Sequence, residues 1–127
     1  MVDTCFLIDY QREAKMKESG AVAAFLSLHR QARLQISTIA WGEFLAGFGD
    51  AAHPFVDFAR DRLDLLDLGA DVASAYRQQF RQLKSTGNLV GTNDLWIGCH
   101  ALALGLPLVS RNHSDFVRIP ELSLLTY

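Results

Sequence analysis

A chain of 127 residues, half of them hydrophobic and 20% charged, is long enough for one core and too apolar to be a disordered segment. Its formal net charge of −2 excludes a polycation that holds nucleic acid by bulk charge alone. Two cysteines, Cys5 and Cys99, provide neither a metal-type spacing nor a disulfide framework. The longest apolar run, Leu95 to Val109, is interrupted by His100, Gly105 and Pro107 and is too short to cross a bilayer. A single domain over residues 1–127 in a reducing cytoplasm, away from the membrane, is the expectation.

In chain order, Val2 to Leu7 reads as a buried strand, with Asp9 as the cap of the segment that follows. Ser19 is placed to cap a helix from Gly20 to about Arg33, whose apolar positions are Val22, Phe25, Leu26 and Leu28. Leu34 to Ser37 reads as the next strand. Thr38 is a plausible N-cap for a helix that glycines stop near Gly47. Ile39, Trp41, Phe44, Leu45 and Phe48 are more apolar bulk than that helix needs for its own packing, although the core is the first expectation for each. A helix is expected over Pro54 to Leu63 and a strand over Leu65 to Leu68. Asp71 to Ser85 is amphipathic, with Val72, Tyr76, Phe80 and Leu83 on one face. Gly87 to Gly91 is a loop. Thr92 or Asn93 then caps a helix to about Leu104 that is apolar nearly all round. Strands follow at Pro107 to Ser110 and Leu122 to Thr126. Strands alternating with helices predict an α/β domain with a mostly parallel sheet covered on both faces.

Four acids stand out against this background: Asp3, Glu43, Asp94 and Asp115. Each lies where an apolar stretch begins, ends or turns, and a carboxylate with apolar flanks is costly to bury unless something positive meets it. Four brought together cannot all stay ionised without counter-charge. Mg²⁺ or Mn²⁺ is the simplest candidate, since both favour oxygen ligands. Such a site suits hydrolysis at phosphate. Each acid also has a plainer reading: Asp3 as a strand-end acid, Asp94 as a helix cap, Glu43 as a solvated helix residue, and Asp115 as part of a turn with Asn112 and Ser114. Asp50, Asp57, Asp61, Asp64, Asp67 and Asp71 read as a solvated face or strand ends. His29, His53, His100 and His113 are dispersed, and no Ser-His-Asp or Cys-His arrangement has support.

The segments Asp3-Thr4-Cys5-Phe6-Leu7-Ile8-Asp9, Ser37 to Gly47, Asn93-Asp94-Leu95-Trp96-Ile97 and Leu108 to Phe116 together resemble a PIN domain. More narrowly they resemble the VapC-type toxin ribonucleases of toxin–antitoxin pairs. Each motif alone is weak; four in order along a chain of this length are specific. The resemblance implies a three-layer α/β/α PIN-like domain and maps the family's acids onto Asp3, Glu43, Asp94 and the more variable Asp115. It implies an Mg²⁺- or Mn²⁺-dependent endoribonuclease that cuts structured RNA, a tRNA or an rRNA loop. It also implies a homodimer and a VapB-like antitoxin that covers the acidic site. The chain departs from the family pattern at Cys5, where Asn or Ser is frequent, and only two residues precede Asp3.

With those roles, Asp3 and Asp94 are the expected direct ligands. Glu43 is a ligand through water or an orienter of the nucleophile, and Asp115 completes the site. Thr4, Thr38, Asn93 and Asn112 are candidates to hydrogen-bond the ligands. Arg111 and Arg118 beside Asp115, or Arg77, Arg81 and Lys84 on the amphipathic helix, are the candidate RNA contacts; for Arg77 and Arg81 an ordinary charged face is the first reading. Two rivals stand beside the nuclease: a non-catalytic module of the same fold, which predicts no metal-dependent cleavage, and a metal-dependent phosphatase, which usually wants a second Asp two residues after the first. Cys5 occupies that position.

Overall fold

The computed structural model describes residues 1–17, 19–49 and 53–127; Asp50 lies outside them. The expected first strand shrinks to one residue. Val2 bridges Ile36 on one side and Val109 on the other, both in parallel. The chain then turns at once into α1, Thr4–Met16. Asp3 causes the turn: its backbone is extended, and its Oδ1 accepts the Phe6 N–H at 2.9 Å, which is the N-cap interaction. Phe6 and Leu7, read in the sequence as part of a buried apolar strand, are buried from the helix instead.

Helix α2 spans Ala21–Leu28, shorter than expected, and Ser19 does not cap it. Its open amides are met from another helix, since the Glu13 carboxylate accepts the Val22 and Ala23 N–H groups, each at 2.9 Å. Strand β1, Leu34–Ser37, leads without a gap into α3, Thr38–Ala46. Ser37 rather than Thr38 is the N-cap, accepting the Ile39 N–H at 3.2 Å. Trp41 and Phe44 are buried, while Ile39, Leu45 and Phe48 are partly buried and packed on the core.

Helix α4, Pro54–Arg60, ends early because Leu63 is needed in β2, Leu63–Leu66, two residues ahead of the expected strand. Helix α5, Ala70–Ser85, buries Val72 and Leu83 as expected, and also Gln79. Helix α6, Thr92–Ala103, has Gly91 at its N-cap position with no side-chain cap, so neither Thr92 nor Asn93 serves there. Strand β3 is Leu108–Val109, α7 is the single turn His113–Phe116, and β4 is Leu124–Leu125.

Strands β1 and β2 pair in parallel, as do β3 and β4, and Val2 joins the two pairs. The sheet order is therefore β2–β1–Val2–β3–β4. The first sheet position in the sequence is central, and later strands lie to both sides of it, which creates a switch point beside Val2. Helix α1 packs on α2 and α3, α3 also on α6, and α6 on α5. Gly98 lets α6 sit close to the last segment, because a Cβ there would fall 2.4 Å from Ile119 Cδ1. Val2, Phe6, Leu7, Ile36, Leu95, Ile97, Leu108 and Phe116 form the centre of the core. Among the described residues, no helix is long and apolar enough to cross a membrane.

Candidate active site

Ligand sites in open parallel sheets gather beyond the carboxyl ends of the strands, at the switch point. Three chain segments leave the sheet there. Asp3 follows Val2, Ser37 opens α3 after β1, and Ser110 follows β3. Because the first strand is the single residue Val2, Asp3 lies at its carboxyl end.

Asp3 is buried. Its second carboxylate oxygen accepts a short hydrogen bond from the Ser110 hydroxyl, and the same Ser110 oxygen accepts the Asn112 N–H at 2.8 Å. Burial pushes the Asp3 carboxyl above the usual aspartate range, against the pull of the Ser110 and Phe6 hydrogen bonds. Glu43, on α3, is half-buried and held at both oxygens. Thr4 Oγ1–H donates to one at 2.5 Å and Asn93 Nδ2–H to the other at 2.7 Å. Helix α1 and helix α6 thus both grip the α3 glutamate. Asp94, on the first turn of α6, is pushed up to about 6, first by burial and then by the charges of Asp115, Glu43 and Asp3. The charges of three acids, two of them 112 positions apart in the sequence, thus reach Asp94. Asn112 Nδ2 reaches Asp94 at a weak 3.5 Å. Asp115, on α7, has Arg118 at 3.9 Å.

The field is shared, but a cage is not formed: among the described residues, no three His, Cys, Asp or Glu side chains stand at metal-ligand spacing. The arrangement is a crowd of carboxylates whose oxygens are aimed by hydroxyl and amide donors, with Arg118 at its margin.

Of the expected hydrogen-bonding residues, Thr4 and Asn93 hold Glu43 and Asn112 touches Asp94. Thr38 does not join them: among the described residues no hydrogen bond connects it to the four acids, because the helix cap falls to Ser37. Ser110 was missed. It is buried and contacts both Asp3 and the Asn112 amide, yet a serine between an apolar strand and a polar turn carries no distinctive signal. Arg111 has an internal partner, Asp9, at 2.7 Å. Asp9 is itself no cap: it lies within α1, buried, and also accepts from Arg12 at 3.2 Å and from the Tyr127 hydroxyl at 2.9 Å. Cys5 is half-buried beside Asp3, and burial with the Asp3 charge pushes its thiol up to about 11, so it is no nucleophile. His100 is fully buried and meets Ser37 Oγ at 3.0 Å, away from the acids.

A family model of the PIN domain matches residues 1–122. This chain belongs to the PIN domain family. Its relatives place it with the VapC proteins. Ribonuclease VapC1 of Methanocaldococcus jannaschii is 28% identical over 128 residues, covering 100% of this chain and 85% of the relative. Ribonuclease VapC1 of Haemophilus influenzae strain R2866 is 33% identical over 95 residues, 71% of each chain. Among solved structures, VapBC2 from Rickettsia felis bound to a DNA fragment from its promoter matches with a TM-score of 0.84 at 26% identity, covering 99% of this chain and 96% of that one. VapBC-1 from nontypeable Haemophilus influenzae matches with a TM-score of 0.81 at 27% identity and the same coverage. The α/β PIN fold expected from the four motifs is the fold observed.

Proposed function

We propose that this protein is a VapC-type endoribonuclease toxin, dependent on Mg²⁺ or Mn²⁺, that cuts structured RNA in the cytoplasm. The observation that carries the reading is the gathering of four acids where the chain leaves the sheet: Asp3 held by Ser110, Glu43 held by Thr4 and Asn93, Asp94 touched by Asn112, and Asp115 on α7, with the Asp94 carboxyl pushed up to about 6 first by burial and then by the charges of the other three. Four acids needed only at the surface would not be gathered with Asp3 buried and Asp94 half-buried, because each added charge costs free energy until a cation arrives.

The donor set is all oxygen and all anionic, which fits Mg²⁺ or Mn²⁺ better than softer ions. Asp3 and Asp94 are assigned as direct holders of the ion, with Glu43 and Asp115 completing the set. When bound there, a divalent cation supplies charge neutralisation at the phosphodiester and acidifies water. The chain's own residues do the rest. Ser110 and the α1 amide of Phe6 fix both oxygens of Asp3, so the carboxylate enters the site in one orientation. Thr4 and Asn93 do the same for Glu43, and lost donors of this kind typically weaken a metal site about 10–100-fold. Binding then has to draw in carboxylates that share a field but not yet a coordination shell. Arg118, 44% exposed at its side chain, supplies a phosphate contact at the rim.

The relatives are named ribonucleases, and the matched structures are of VapBC pairs, which supports a VapB-like antitoxin as partner; a homodimeric toxin is proposed from the family resemblance alone. Inhibition by an antitoxin arginine placed among Asp3, Glu43 and Asp94 is the proposed mode, since a guanidinium satisfies the same oxygens through charge-assisted hydrogen bonds. The test of function is direct. Purified antitoxin-free protein is expected to cleave total tRNA or rRNA in Mg²⁺ or Mn²⁺ and to stop with EDTA; cleavage that persists under full chelation overturns the metal dependence.

A further inference from the structure

Residues 110–112, between β3 and α7, make three attachments in succession. Ser110 donates to Asp3, Arg111 pairs with Asp9 at 2.7 Å, and Asn112 touches Asp94 and returns its N–H to Ser110 at 2.8 Å. Two of the three attachments go to acids of the active site. The third goes to an acid that is not in it.

Asp9 does not need Arg111 for charge balance. Its side chain is 8% exposed, and Arg12, three residues on along α1, already pairs with it at 3.2 Å, while Tyr127 donates a hydroxyl at 2.9 Å. A second guanidinium is redundant for neutralising one carboxylate. What it adds is a tie between α1 and a loop about a hundred residues later in the chain. Asp3 and Asp9 are six residues apart, about 9 Å of helical rise. The short Ser110 side chain reaches the first and the long Arg111 side chain reaches the second, so the loop is held to α1 at two points rather than one. Beside the Ser110 and Asn112 contacts and the backbone bond from the Ser110 N–H to the Leu125 carbonyl at 3.0 Å, the Arg111 pair is the one charged tie from this loop to α1 among the described residues.

We propose that Arg111 is a positioning residue for RNA cleavage. Its ion pair with Asp9 locks the 110–112 loop so that Ser110 and Asn112 hold Asp3 and Asp94 in their working orientations, and it does not contact RNA phosphate. The proposal rests on the nuclease reading above and reassigns an arginine that sequence alone placed at the RNA rim.

The experiment uses the full chain with Arg111→Gln, Arg111→Lys, Asp9→Asn and the double variant Asp9→Asn/Arg111→Gln. With Mn²⁺ and a cleavable RNA, Arg111→Gln and Asp9→Asn are each expected to lower kcat about tenfold or more. KM and the salt dependence of RNA binding stay at wild-type values. The double variant is no worse than the worse single, because one tie is lost in each case. Arg111→Lys, which keeps the charge, retains most of kcat. Without metal, hydrogen exchange at the Asn112 amide is expected to quicken in both single variants. Two results overturn the proposal. One is Arg111→Gln raising KM and flattening the salt slope while Asp9→Asn behaves normally, which makes Arg111 a phosphate contact. The other is both singles lowering the thermal midpoint with kcat and Asn112 exchange unchanged, which leaves the pair a structural tie alone. If wild-type protein cleaves no RNA, the nuclease reading fails, and Asn112 exchange still judges the lock.

Discussion

Asp3, the cap of α1, and Asp9, within it, are two buried carboxylates, and their surroundings are opposite. Asp9 is met by two guanidinium groups and a phenolic hydroxyl. Asp3 is met by a hydroxyl and a backbone amide, no cation pairs with it among the described residues, and its charge adds to those that raise Asp94. A buried acid surrounded by donors and cations is a structural device. A buried acid given neutral donors and set among like charges is prepared for something positive from outside.

The sharpest way to break this contrast is Asp94→Asn. The amide keeps the size and removes the charge. RNA cleavage in Mn²⁺ is expected to fall by more than about 100-fold, since even hydrogen-bonding partners of metal ligands cost 10–100-fold. Asp57→Asn, on the exposed face of α4, should leave cleavage intact. A fully active Asp94→Asn protein removes Asp94 from the site.

Ser110→Ala comes next, because it strips Asp3 of its side-chain donor. Cleavage should fall about 10–100-fold, with a stability loss of about 1 kcal/mol in urea unfolding. Near-normal cleavage would mean that the Phe6 amide alone orients Asp3.

Stability separates the two acids as well. Asp9→Ala leaves the Tyr127 hydroxyl and two guanidinium groups without their acceptor. The guanidinium groups are more than half exposed and regain water, so the expected cost is modest, about 1–2 kcal/mol. Asp3→Asn keeps a good capping side chain and loses a charge from a crowded site. Metal-free Asp3→Asn protein should therefore be at least as stable as wild type while failing to cleave RNA. Chemical denaturation of both variants checks the order.

The pH dependence follows from the same crowding. The folded-state Asp94 value of about 6 lies above its ordinary value near 3.8, and Asp3 shifts in the same direction. The folded state thus binds more protons than the unfolded state in this window. Their contribution to stability is present below about 4 and is lost as pH rises through about 6. The thermal midpoint of metal-free protein should carry that downward component, and Asp94→Asn should flatten it; an identical profile in the variant would refute the crowding. The smallest effect is expected from Arg118→Ala. Its ion pair at 3.9 Å is exposed and contributes little, within about 0.5 kcal/mol, but the salt slope of RNA binding should fall by about one.

The amino-acid sequence by itself determined the fold class, because strands and helices alternate with the right periods, and it nominated all four acids, because carboxylates at the ends of apolar runs are conspicuous. It also singled out Thr4, Asn93 and Asn112, which neighbour those acids or share their turns. Boundaries were decided elsewhere. Val2 to Leu7 has a strand's apolar content, and only the Asp3 cap and the two-sided pairing of Val2 make one residue of sheet and thirteen of helix. The second helix depended on Glu13 arriving from the first. Ser110 and the Asp9–Arg111 pair were illegible for the same reason: their meaning lies in partners about a hundred positions away. A charge's neighbours along the chain say whether it is costly to bury, but only tertiary structure says what meets it there, and that decides whether an acid holds the fold or serves the site.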